Sequence, residues 1–170
     1  MPEVTSPTSE STVYHLKQMQ GELYRLAGAR EAALNASAGA HALAYVISPS
    51  DTASQKAALA DKHRMDGMQM AKDRYVGEVR HFDGDEAALL ARCIKMFADL
   101  AAYERQEAER TSLNVVHLDP EHADYRKVSL EVQRYLQREA GILEYADMFH
   151  AAFGSLLDRP APPAAVADPA

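Results

Sequence analysis

The sequence predicts an all-α protein, an antiparallel up-down-up-down four-helix bundle with long helices. Three observations predict it: a composition poor in strand formers, three breaks carrying helix stop and start signals, and apolar seams spaced by threes and fours. Aromatic residues make up only 7% of the chain and tryptophan is absent, while alanine recurs throughout. Strands rely on the β-branched and aromatic side chains that this chain uses sparingly, whereas alanine is the strongest helix former. At 170 residues the chain is one domain by length, large enough to bury a core without disulfides.

The first break is Ser48-Pro49-Ser50-Asp51-Thr52. Proline stops the helix before it, and Thr52 with Gln55 has the spacing of a capping box for the next. At the second break, Asp83-Gly84-Asp85-Glu86, Asp83 is the expected cap, and Glu86 sits favourably in the first turn. The third, Asp119-Pro120-Glu121, reads as an N-cap followed by proline at the first helical position. The implied helices run over 12–47, 52–82, 85–115 and 120–157, the third fraying near Ser112, where poor helix formers follow. Residues 12–158 form the bundle domain. Residues 1–11 and the Pro/Ala-rich tail 159–170 are expected to be disordered, because neither buries enough apolar surface to offset its ordering entropy.

Each helix carries a seam. The fourth has Val128, Val132, Tyr135, Ile142, Ala146, Phe149, Phe153 and Leu156; the second has Met65, Met68, Tyr75, Val79 and Phe82. The third runs Leu90, Cys93, Phe97 and Leu100, then places Glu104 and Glu107 on the same stripe. The first runs Leu16, Met19, Leu23 and Leu26 to Arg30, before an alanine-rich half that includes His41. Gly67 and Gly77 each cost about 1 kcal/mol against alanine inside a helix, which points to a close helix contact or a bend. Cys93 on its apolar stripe reads as a small core residue, and the methionines around Gly67 read as gap-fillers.

A net charge of −7 repels a polyanion, so nucleic acid is not an expected partner. No apolar run is long enough to cross a bilayer and the first residues form no export signal, so no membrane partner is expected and the location is expected to be cytoplasmic. Phosphate-binding loops, dinucleotide fingerprints, zincin motifs and nucleophile elbows are missing, and the single cysteine excludes a paired-cysteine zinc site.

The charges interrupting the seams are the candidate chemistry. Counting back from the three turns puts Arg30, Lys72 and Glu139 at nearly one level of the bundle. Two cations facing one carboxylate in a low-dielectric layer suit the entry of an anionic ligand; the alternative is a register-fixing layer in which Arg30 pairs with Glu139 and Lys72 reaches solvent. Helix spacing supplies a second candidate. Glu78-Val79-Arg80-His81 is a Glu-x-x-His motif, Asp147-Met148-Phe149-His150 is its aspartate variant, and Glu22 lies at a matching depth on the first helix.

These motifs resemble those of ferritin-like carboxylate proteins. The resemblance implies a metal-binding bundle, a metal-dependent oxidoreductase or a metal store, with Glu22, Glu78, His81, Asp147 and His150 as ligands. In layout the chain is also similar to the four-helix sensor domains of bacterial chemoreceptors, which implies ligand sensing. The leading expectation is a non-enzymatic binding or regulatory module, without a cofactor, engaging a small anionic ligand or a protein partner. A homo-oligomeric scaffold is a further expectation.

Overall fold

In the computed structural model, which describes residues 9–158, the chain is an all-α four-helix bundle. Helix α1 spans Ser9–Ile47, α2 Thr52–Arg80, α3 Glu86–Ser112 and α4 Ala123–Leu157, with a short 3-10 helix at Leu113–Val115. The expectations for 1–11 and 159–170 fall outside the described residues, except that α1 already begins at Ser9. No helix of the described residues is long and apolar enough to cross a membrane.

The breaks lie where the sequence puts them, but their caps differ. Asp51 caps α2 in place of Thr52: its carboxylate accepts from the Ser54 N–H at 3.0 Å and the Ser54 hydroxyl at 2.6 Å. Asp85, not Asp83, caps α3, accepting from the Ala88 N–H at 3.0 Å, while Asp83 accepts from the Asp85 N–H at 3.1 Å. Between them Gly84 takes φ +99°, a left-handed conformation that costs glycine nothing.

The third break departs most. Asp119-Pro120 opens a β-turn instead of a helix: the Asp119 carbonyl accepts from the His122 N–H at 2.9 Å, and the Asp119 side chain accepts from the Glu121 N–H at 2.8 Å. His122 then caps α4, its Nδ1 accepting from the Asp124 N–H at 3.2 Å. Ser48-Pro49-Ser50-Asp51 is the same device, with proline second, a hydrogen bond from the fourth residue to the first at 2.8 Å, and a cap fourth.

That late turn slides α4 along α3. The 3-10 helix carries the chain past the end of α3, and reversal waits for Asp119–His122. Phe97 therefore meets Tyr145, with ring centroids 5.7 Å apart, instead of the level of Glu139. Glu139 sits beside Arg105 at 3.0 Å.

Alternation makes α2 and α4 parallel, and they touch backbone to backbone. A Cβ on Gly67 would stand 2.0 Å from the Arg138 carbonyl oxygen, and one on Gly141 would stand 2.0 Å from that of Arg64. The close contact expected at Gly67 is present, with Gly141 as its counterpart, whereas a Cβ on Gly77 meets nothing. This pinch divides the bundle. On the C-terminal side of α2 and α4, Tyr75, Phe97, Phe149 and Phe153 pack together, Phe149 and Phe153 stacking at 4.6 Å, with Leu23, Leu89, Leu90 and Cys93 around them. On the other side, residues 35–47 of α1, 52–66 of α2 and 123–140 of α4 include no buried residue.

Candidate functional site

At the pinch the neighbours of the two glycines are charged, because helix phase turns one face of α2 and α4 into the contact and leaves the flanking positions at its margin. Arg30 of α1 grips Glu144 of α4 with two hydrogen bonds, Nε to Oε2 at 2.7 Å and Nη2 to Oε1 at 3.2 Å. This bonded carboxylate raises the Arg30 pKa, with burial opposing it. Arg64 of α2 shares that carboxylate at 3.5 Å and donates from Nη2 to the Gln137 side-chain oxygen at 2.9 Å. Across α4, Arg138 lies 3.6 Å from Glu104, the one fully buried charged residue among those described.

Glu104 is under-served. Its Oε2 accepts no hydrogen bond, and the buried Nε groups of Arg64, Arg134 and Arg138 and the Oδ2 of Asp61 also have no hydrogen-bond partner. Burial pushes the Glu104 carboxyl pKa above the ordinary value, while the charges of Arg138 and Arg134 pull it back. This layer combines ion pairs with incomplete hydrogen bonding in the middle of the bundle.

The residues picked from the sequence are placed apart from one another. Arg30 is with Glu144, Lys72 is 3.8 Å from Glu31, and Glu139 is with Arg105, so each has a different partner. The expected Arg30–Glu139 pair is corrected by the late turn, which brings Glu144 to the level of Arg30. Among the metal candidates, Glu22 is held by Arg25 of its own helix at 2.6 Å and Glu78 by Arg92 at 3.1 Å. His81 lies exposed at the end of α2. Asp147 and His150 are exposed because Phe149 takes the inward position, and helical rotation of about 100° per residue turns them away. Among the described residues no group of three or more His, Cys, Asp and Glu side chains stands together to hold a metal. Cys93 is buried, and burial pushes its thiol up to about 12, so it packs as a small apolar group. His41 is half-buried near Asp51, and His117 and His122 are exposed.

What sequence reasoning missed is a groove. Beyond the pinch, the N-terminal halves of α2 and α4 leave an open trough of about 470 Å³, floored by Leu59, Ala60 and Leu130 and edged by Lys56, His63, Gln133 and Gln137. A second recess of about 460 Å³ shares Lys56, Leu59, Ser129 and Leu130 and extends the trough to Thr52, Pro120 and Arg126. Neither lining contains a carboxylate, although the chain has 25 acidic residues. The aromatic half holds a smaller recess of about 190 Å³. The signals for the groove were Leu59 and Leu130, apolar residues off the assigned seams. Comparisons with family models, with curated proteins and with solved structures find no match to this chain.

Proposed function

We propose that this chain is a non-enzymatic binding module and that its ligand site is the trough between the N-terminal halves of α2 and α4. The observation that carries this reading is an open apolar floor, ringed by Lys56, Arg126 and hydrogen-bonding groups and free of carboxylates, on a chain of net charge −7. Such a site favours an anionic or uncharged ligand over a cationic one. The anion expected at Arg30 and Lys72 is thereby moved to the trough, since those two cations already lie beside carboxylates.

A thermal-shift series with small carboxylates and phosphates, run on wild type and Lys56→Glu, tests the proposal. A ligand at a hundred times its Kd adds about 2.7 kcal/mol to the folded state, enough for a clear rise in Tm. The expected result is a rise in wild type that Lys56→Glu abolishes. A rise equal in both proteins would place the anion elsewhere and defeat this assignment.

A further inference from the structure

We propose that the natural occupant of the trough is an amphipathic helix of another protein, with acidic residues beside its apolar stripe. This rests on the trough being the binding site and adds the class of partner.

Shape argues first. The two recesses join along Thr52 to His63 of α2, about 17 Å at 1.5 Å per residue, or roughly three helical turns. A compact metabolite filling one recess would leave the other open. A helix running between two parallel helices fills both, and its apolar residues would meet Leu59, Ala60 and Leu130, which face no core of their own. The apolar side chains of the trough itself are left uncovered, Leu59 being 38% and Leu130 50% exposed.

Charge argues second. Of the Lys and Arg side chains on the lining, Arg126 is 2.9 Å from Glu121, whereas Lys56 has no ion pair among the described residues. With no carboxylate on either lining, an acidic flank on the occupant meets Lys56 without a like-charge contact on the lining, and the side-chain NH2 groups of Gln133 and Gln137 remain to donate hydrogen bonds to it.

The test is a displayed library of helices of about fourteen residues, randomised over all faces and selected against the full chain. Selected helices are expected to share apolar residues at i, i+3, i+4 and i+7 and an excess of Glu and Asp. They should bind Leu130→Asp and Lys56→Glu at least about tenfold more weakly than wild type, both variants keeping the wild-type Tm. Basic or uncharged winners, winners indifferent to both variants, or no winners at all would overturn the proposal. So would a homodimer that Leu130→Asp dissolves, which would give the trough to a second copy. The small-anion series separates the two levels: a Lys56-dependent rise in Tm with an empty selection removes the helix and keeps the site, and silence in both removes both.

Discussion

The two halves of this bundle use the same four helices and differ in what lies between them. Beyond the pinch on one side, Tyr75, Phe97, Tyr145, Phe149 and Phe153 fill the space that opens as α2 and α4 leave their glycine contact. On the other side α2 and α4 leave an open trough floored by Leu59, Ala60 and Leu130, and Ala108 and Val115 are buried nearby in place of aromatic rings. Each buried aromatic or leucine stabilises by about 1.5–3 kcal/mol relative to exposure, so the stability of the fold is concentrated in one half. The other half is left available for contact with something else.

The largest test of that contrast is a pair of truncations. Phe149→Ala is expected to cost about 3–5 kcal/mol, because it opens a cavity among three aromatic neighbours. Leu130→Ala, matched in chemistry but in the open half, should stay within about 0.5 kcal/mol. Urea unfolding measures both, and equal losses would break the comparison.

Gly141→Ala acts on the pinch itself. The new methyl collides with the Arg64 carbonyl, and backbone on both helices has to move. A loss of about 2–3 kcal/mol is expected despite alanine's better helix propensity. Gly77→Ala is the control, expected to be neutral or stabilising by up to about 1 kcal/mol.

Glu104→Gln should give a smaller, pH-dependent effect. The native pKa of Glu104 lies above its ordinary value, so native protein binds this proton more tightly than unfolded protein. The residue's contribution to stability is full below the ordinary carboxylate pKa and is lost as pH rises through the native one. Glutamine carries no such loss. The stability of wild type relative to the variant should therefore fall across that window, as read from melts at a series of pH values. A difference independent of pH would mean that Glu104 is adequately served by Arg138.

Most of the fold was legible in the sequence because helix seams and breaks are local signals. Aspartate marks all three turns, with proline at the first and third, and Leu90, Cys93, Phe97, Phe149 and Phe153 occupy the core as their spacing requires. The register of α4 was not legible. Asp-Pro serves equally as a helix start and as the opening of a β-turn, and the choice moves every contact between α3 and α4. The partners of the charged layer shift for the same reason: Glu144 reaches Arg30 only after that displacement. Counting back from turns relates α2 to α4 only through α3, so it carries the same displacement. Glu104 was the exception, visible as a charge on an apolar stripe, and it is buried there.

The backbone contact of α2 with α4 at Gly67 and Gly141 also sets a boundary in time. Backbone amides of α2 beyond Gly67 lie beside the aromatic cluster, and their exchange with solvent deuterium should require global unfolding. Amides of residues 52–66 and 123–140, stretches without a buried residue, should exchange through local openings that leave the aromatic half closed. An exchange profile along α2 should then fall in protection from one side of Gly67 to the other. A close approach of two backbones, allowed by one glycine on each helix, would thus separate a slow unit from a fast one within one continuous helix.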